Sequence, residues 1–165
     1  MNPIVRARAT ALLIPDAKFE VINGEEFVWL DDRPMPTDEE IEAKIKELEE
    51  QEKIDAKYKE CANYILEYYP QIKQASDQAD KEYFSTILKA QGAENLEAEI
   101  TTRIQNFFAG STLEDVVANI ADEDKEAYTQ LVKVGIRVTW VQLCKSELRN
   151  AIAENREPVF PEYPL

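Results

Sequence analysis

The chain has 165 residues, of which 44% are hydrophobic, so it fits one medium domain or a small module plus a helical domain, and wholesale disorder is excluded. Its 33 acidic and 19 basic residues give a formal net charge of −14, and such a surface repels phosphate backbones. Ordinary nucleic-acid binding is therefore not expected, and the charge fits a solubility device, a docking face for a basic partner, or a mimic of nucleic acid.

Membrane insertion and secretion are also not expected. No run approaches the ~20 apolar residues that a membrane span requires. The N-terminal apolar stretch, Ala9 to Ile14, is shorter than the ~7–15-residue core of a signal peptide, and Pro15-Asp16 does not resemble a cleavage site. We expect a chain made in the cytoplasm and left unprocessed.

The N-terminal module begins with a predicted helix and a β-hairpin. The helix is expected over about residues 3–13, because Pro3 suits a first helical turn and Pro15 stops it. Asn23-Gly24 is the strongest hairpin signal in the chain. Apolar residues alternate on either side of it, at Phe19, Val21, Phe27 and Trp29. Strands are therefore expected at about 18–22 and 26–30, and one face of this hairpin must pack on a helix or on another chain.

A rigid connection leads from the hairpin into a charged helix. Pro34 and Pro36 push the residues before them toward extended conformations, and Thr37 with Glu40 predicts a capping box. The helix then carries a narrow apolar stripe, suited to a coiled-coil seam or to packing on the hairpin, formed by Ile41, Ile45 and Leu48. Beyond residue 48 the stripe loses phase. The helix is therefore expected to bend near 50–53 or to present a different face before Pro70 ends it.

Residues 71–155 are predicted to form a helical domain after the module of residues 1–70. Its helices are expected at about 71–90, 94–108, 112–120, 123–134 and 136–154. Ser111 and Glu114 predict a capping box for the third, and Gly135 is a packing contact or a kink between the last two. The apolar segment 135–152 should lie at the centre of the core. The predicted fold class is mainly α with a small N-terminal β-hairpin.

Residues 156–165 form an extended tail. Its three prolines forbid a helix and favour a polyproline-like strand, with apolar anchors at Val159, Phe160, Tyr163 and Leu165. Two interpretations stay open. The tail lies back across its own helices, or it is an arm that docks on a neighbouring subunit, which its aromatic residues and low ordering entropy would suit.

The two cysteines, Cys61 and Cys144, each fall inside a predicted helix among apolar neighbours. Buried free thiols are one interpretation, since a free cysteine behaves as a small hydrophobe. The other is a disulfide, within the chain or to a partner, which requires an oxidising setting.

No catalytic, metal or cofactor site is predicted. Histidine is absent, which excludes histidine-based triads and most zinc sites, and four glycines leave no phosphate-binding loop. Asp122, Asp124 and Glu126 alternate as in a calcium loop, but the central glycine is missing and Lys133 stands where a bidentate glutamate is needed. A carboxylate enzyme would need an acid in an apolar pocket, and no Asp or Glu is marked as buried by its sequence neighbours. We therefore expect no enzymatic activity. An enzyme that uses carboxylates alone is a further alternative, and a deep pocket with a buried Asp or Glu would be its mark.

Residues about 10–85 resemble a module of small bacteriophage and prophage tail-associated proteins, including the XkdW type. The matching positions are Pro15, Ala17 and Phe19 of a "P-x-A-x-F" strand; Trp29 and Asp31 at a strand end; Pro36, Thr37, Glu40, Ile41, Ala43, Ile45 and Leu48 of a capped helix; and Tyr69, Pro70 and Ile72. Beyond residue 90 the chain matches no pattern of these proteins.

The resemblance implies a non-enzymatic tail protein, either a fibre or baseplate component of the virion or a chaperone of fibre assembly in the host cytoplasm. Its partner would be a fibre or baseplate protein, with self-association as a further expectation. Candidate protein-binding residues are Phe27, Trp29, Val159, Phe160 and Tyr163. The alternative function is an acidic DNA mimic that inhibits a nucleic-acid-binding protein, although lysines interleave the acidic residues from Glu39 to Lys59.

Overall fold

The computed structural model describes all 165 residues and contains six α-helices and one two-stranded antiparallel sheet. The predicted class, mainly α with a small N-terminal hairpin, is confirmed. Contacts divide the chain into two compact units, Met1–Ala56 and Lys57–Leu165. The division falls inside a helix, whereas the sequence placed the end of the first module at residue 70. None of the helices has the length and apolar character needed to cross a membrane.

The first unit consists of α1 (Pro3–Leu13), strands β1 (Phe19–Ile22) and β2 (Glu26–Trp29), and the first part of α2 (Asp38–Tyr68). Helix α1 contacts both strands of the hairpin. Two arginines of α1 pair with acids of α2, with Arg6 2.7 Å from Asp38 and Arg8 2.5 Å from Glu52. Ala9, Thr10, Pro36 and Ile41 are the buried residues of this unit, so its core is small.

The hairpin forms as predicted because its turn residues can adopt left-handed backbone conformations. Asn23 and Gly24 have φ angles of 51° and 76°, as a type I′ turn requires. The amide of Glu25 donates to the carbonyl of Ile22 at 3.0 Å and closes the turn. The register pairs Phe19 with Trp29 and Val21 with Phe27, which sets the four alternating apolar residues on one face.

The predicted capping box at the start of α2 is confirmed. The Thr37 hydroxyl accepts from the Glu40 amide at 3.2 Å, and the Glu40 carboxylate accepts from the Thr37 amide at 2.8 Å. This exchange satisfies two otherwise unpaired amides and fixes the direction of the helix without a glycine. Helix α2 runs unbroken to Tyr68. Its next buried residues after Ile41 are Cys61 and Ile65, which lie on a different side of the helix from Ile41. The second of the two predicted alternatives, a different buried face, is therefore the observed one.

The second unit packs around one long helix. After the end of α2 it contains α3 (Gln71–Ala90), α4 (Leu96–Phe108), α5 (Leu113–Val117) and α6 (Asp122–Ala153). Helices α3, α4 and α5 all contact α6. Helix α6 contributes to each of three apolar clusters, through Tyr128 and Leu131 in one, Val132 and Ile136 in another, and Trp140, Cys144 and Leu148 in the third. The prediction that the segment 135–152 is central to the core is confirmed.

The two predicted helices at 123–134 and 136–154 are one helix, so that prediction was wrong. Gly135 lies in the middle of α6 because a single glycine weakens a helix by only ~1 kcal/mol. A Cβ at this position would overlap the Cδ1 atom of Ile104 and lie 3.0 Å from its Cγ1. Gly135 is thus the packing contact, where α4 approaches the backbone of α6.

The predicted Ser111–Glu114 capping box was also wrong, by one residue. The box forms between Thr112 and Asp115, with the Asp115 amide 3.1 Å from the Thr112 hydroxyl and the Thr112 amide 2.9 Å from the Asp115 carboxylate. Ser111 is used by the preceding element, because its amide donates to the carbonyl of Asn106 in the turn that ends α4.

Candidate functional site

The predicted binding residues of the hairpin, Phe27 and Trp29, are half-buried. The ring of Phe27 stacks on Phe19 with centroids 5.3 Å apart, and the guanidinium of Arg6 lies 5.4 Å from the centre of the Phe27 ring. The Trp29 indole donates to the carbonyl of Arg33 at 2.9 Å. Each ring therefore serves the packing of the unit and still presents part of its surface to solvent.

Asp31 fixes the chain directly after the hairpin. It accepts hydrogen bonds from the Lys18 amide at 2.8 Å and from the side chain of Arg33 at 2.7 Å. These hydrogen bonds hold the pKa of Asp31 well below its ordinary value, and the bond from the Arg33 side chain has the largest effect. The Asp31 carboxylate therefore connects Lys18, at the start of the hairpin, with Arg33, which follows the hairpin. The carbonyl of Arg33 is the acceptor of the hydrogen bond from Trp29.

Large apolar side chains remain exposed across the first unit. We call them the apolar N-terminal surface: Ile4, Val5, Leu12, Leu13, Ile22, Leu30 and Met35. Ile4 is 61% exposed, Leu30 56% and Leu12 52%. Val5 and Leu12 are seven residues apart on α1, so they lie on the same side of that helix. Single exposed apolar residues are normal, whereas exposed apolar residues that lie together can form a contact site.

The predicted tail lies on its own unit, against three aromatic side chains that we call the aromatic groove: Tyr64, Tyr68 and Trp140. Phe160 stacks on Tyr64 with centroids 5.0 Å apart, and Tyr163 stacks on Tyr68 at 5.8 Å. Tyr163 also meets Trp140 edge-on, at 5.1 Å. Of the two interpretations, the position across its own helices is the one that the structure contains.

One backbone carbonyl of the tail receives two hydrogen bonds from the aromatic groove. The Trp140 indole donates to the carbonyl of Pro161 at 2.9 Å, and the Tyr64 hydroxyl donates to the same oxygen at 3.1 Å. Trp140 is fully buried. The groove therefore recognises both the rings and the backbone of an extended segment.

Polar contacts hold the start of the tail. Arg156 pairs with Glu147 through the two terminal nitrogens of its guanidinium, and the Val159 amide donates to the Glu147 carboxylate at 2.8 Å. The hydrogen bonds from Arg156, with that of Val159, lower the pKa of Glu147 to about 2. The Lys57 ammonium donates to the carbonyl of Arg156 at 2.6 Å. The Val159 side chain itself is 78% exposed, so this predicted anchor does not contact the groove.

A buried carboxylate, which the sequence did not predict, joins α3 to α6. Asp77 is 1% exposed, and Arg137, which is 5% exposed, binds both of its oxygens. Lys73 lies 2.6 Å from Asp77, and the Tyr69 hydroxyl donates to it at 2.8 Å. Its sequence neighbours did not mark Asp77 as buried, because the partner that makes burial tolerable lies on a helix far along the chain.

The environment of Asp77 keeps it ionised. Burial alone would raise its pKa, but hydrogen bonds from Arg137, Lys73 and Tyr69 outweigh burial and hold the pKa below its ordinary value. Burial and the bond to Asp77 raise the pKa of Tyr69 to about 12, so the phenol stays a donor. A cavity of about 310 Å³ borders this cluster. A general acid needs a raised pKa and a free proton, and Asp77 has neither feature.

Cys61 and Cys144 are free and buried in the same apolar cluster. Burial raises the pKa of both thiols, that of Cys144 to about 11. Such protonated thiols are poor nucleophiles. Of the two interpretations from the sequence, free thiols are the one found in the structure.

The structure brings the predicted tail residues Phe160 and Tyr163 together with ring partners that the sequence did not identify. Phe27 and Trp29 lie in the other unit. No group of three or more His, Cys, Asp or Glu side chains is placed to hold a metal ion, and Asp122 and Asp124 lie in the first turn of α6. Comparison with protein-family models, curated proteins and solved structures found no match for this chain.

Proposed function

We propose that this chain is a non-enzymatic bacteriophage tail protein that acts by binding another protein. The observation that carries the proposal is the apolar N-terminal surface, which leaves side chains such as Ile4, Leu12 and Leu30 more than half exposed. The phage setting rests on the resemblance of residues about 10–85 to tail-associated proteins. The partner would be a fibre or baseplate protein, bound in the virion or during assembly.

The first unit is suited to binding because its core is small and its surface is apolar. Ala9, Thr10, Pro36 and Ile41 are its buried residues, and its other large apolar side chains are half-buried or exposed. Covering a fully exposed Leu or Ile contributes roughly 1.5–3 kcal/mol. A partner that covers several of these side chains would gain a stable interface without any polar anchor.

The surrounding charge would select the partner. Helix α2 begins with three acidic residues, Asp38, Glu39 and Glu40, and the whole chain has a net charge of −14. Charge near an apolar contact speeds the approach of a partner of opposite charge and disfavours one of like charge. A basic patch next to an apolar groove is therefore the expected feature of the fibre or baseplate protein.

Trp29, on the hairpin face opposite to Ile22 and Leu30, is a second proposed contact for the partner. It is half-buried, and its indole already has an acceptor in Arg33, so its ring is held in place before binding. Preorganised aromatic residues dominate many interfaces. We expect Trp29→Ala to weaken partner binding by tenfold or more, and Trp29→Phe, which keeps a ring, to weaken it much less.

The function is tested in a phage that encodes this chain. Particles are purified and the copy number of the chain relative to the fibre protein is measured by mass spectrometry, beside particles from a deletion strain. A fixed copy number supports a virion component, whereas absence from the virion with misassembled fibres on deletion supports a chaperone. Absence with normal particles contradicts both, and strongly salt-dependent binding to a basic nuclease or repressor would favour the DNA mimic instead.

A further inference from the structure

We propose that the aromatic groove is a binding site for an extended proline–aromatic peptide, and that the tail of a second copy of this chain occupies it in trans. In the isolated chain the groove holds its own tail, residues 156–165. All groove and tail residues belong to the second unit. The inference therefore does not depend on the apolar N-terminal surface or on the phage assignment.

The contacts of the tail are those by which proteins bind separate peptides. Phe160 and Tyr163 stack on groove rings, while Trp140 and Tyr64 donate to one backbone carbonyl, that of Pro161. Aromatic grooves with an indole or phenol donor suit proline-rich segments, because such segments are already extended and lose little entropy on binding. None of these contacts requires the tail to be covalently joined to the α6 that it meets.

The joint between α6 and the tail is a single turn that depends on the conformation of one residue. The amide of Arg156 donates to the carbonyl of Ala151 and that of Asn155 to Ile152, which is the Schellman arrangement. Asn155 has a φ angle of 50°, in the left-handed region that asparagine adopts more readily than other non-glycine residues. A change of this one residue to an extended conformation would direct the tail away from its own groove and toward another molecule.

A second copy is the occupant that the observations favour. Every copy carries the same tail, and the Glu147 that binds Arg156 and the Val159 amide would make the same contacts with an incoming tail. The tethered tail competes at an effective concentration in the millimolar range, so dilute chains keep their own. Exchange would then occur where copies are crowded, and it would give a closed dimer or an open chain.

The first experiment supplies the tail in trans to the full-length chain. Phe160→Ala/Tyr163→Ala weakens the resident tail, and Trp29→Phe leaves Trp140 as the only tryptophan. A peptide of residues 156–165 should produce a saturable blue shift of the Trp140 emission, and a scrambled peptide should not. A folded variant that shows no saturable response to the peptide would overturn the proposal.

The second experiment changes only the joint and leaves groove and tail intact, so it decides the question if the first variant does not fold. Asn155→Val penalises the left-handed turn, whereas Asn155→Gly favours it. At equal concentration we expect about tenfold more exchanged dimer for the valine variant than for the glycine variant by light scattering. Adding Phe160→Ala/Tyr163→Ala should abolish that dimer. Tail exchange would be refuted if both Asn155 variants stay monomeric at millimolar concentration. It would also be refuted if the dimer persists after Phe160→Ala/Tyr163→Ala.

Discussion

The buried Asp77–Arg137 pair provides the sharpest stability prediction. The change is Asp77→Asn, which keeps the shape of the side chain and removes its charge. Asp77 is 1% exposed and is the only acidic partner recorded for Arg137, so the substitution leaves a buried guanidinium without a counter-charge. Breaking a buried pair from one side costs about 3–5 kcal/mol. Asparagine keeps one acceptor oxygen but replaces the other with an NH2 donor, so one of the hydrogen bonds from Arg137, Lys73 and Tyr69 is lost as well; that loss lies within the same range, because these effects do not add.

The assay is urea unfolding followed by circular dichroism, with Asp80→Asn on the same helix as the matched control. Asp80 accepts one long hydrogen bond, 3.5 Å from Ser76, so its substitution should change stability by no more than about 0.5 kcal/mol. The double variant Asp77→Leu/Arg137→Met removes both charges and should be more stable than Asp77→Asn. A loss below about 1 kcal/mol for Asp77→Asn, or a double variant less stable than the single one, would refute the reasoning.

Three further predictions concern α6, the tail and the start of α2. Gly135→Ala should destabilise the chain by up to about 2 kcal/mol, because overpacking against Ile104 costs roughly 1–3 kcal/mol and alanine regains ~1 kcal/mol in a helix. In an Ile104→Val background the cost should shrink, measured as a coupling energy in urea unfolding. A cost that is the same in both backgrounds would contradict the contact. Arg156 lowers the pKa of Glu147 from 4.5 to about 2, so the contribution of Glu147 to tail binding is complete above pH 4.5 and is lost as the pH falls toward 2. In the Trp29→Phe background, Trp140 emission should therefore red-shift over that interval, and Glu147→Gln should remove this step; an unchanged step would assign it to another group. Thr37→Ala should cost about 1 kcal/mol by removing the cap of α2, while Thr37→Ser should be nearly neutral in thermal unfolding.

The elements set by local chemistry could be predicted from the sequence. Asn23-Gly24 specified the hairpin because its turn tolerates few other residue pairs. Thr37 and Glu40 specified the start of α2 because both hydrogen bonds of the box lie within four residues. Ser111 was chosen over Thr112 because the sequence alone does not show that the end of α4 already uses the Ser111 amide.

The contacts between distant segments could not be predicted. Lys73 and Asp77 at i,i+4 on α3 were a readable sign of a charge pair, but Arg137 lies 60 residues away from Asp77. The same holds for Gly135, whose neighbour Ile104 belongs to another helix. For the tail, Phe160 and Tyr163 could be identified as apolar anchors from the sequence. Where these anchors bind could not be predicted, because their ring partners, Tyr64, Tyr68 and Trp140, come together only in the folded chain.

The most direct test of the proposed function is site-specific photo-crosslinking during particle assembly. A photoreactive residue is placed at Leu12 or Leu30 of the apolar N-terminal surface, and at the exposed Glu49 of α2 as a matched control. If this surface binds a tail protein, the two apolar positions should crosslink to one fibre or baseplate protein, and Glu49 should crosslink weakly or not at all. Equal crosslinking from all three positions, or no tail protein at either apolar position, would contradict the account.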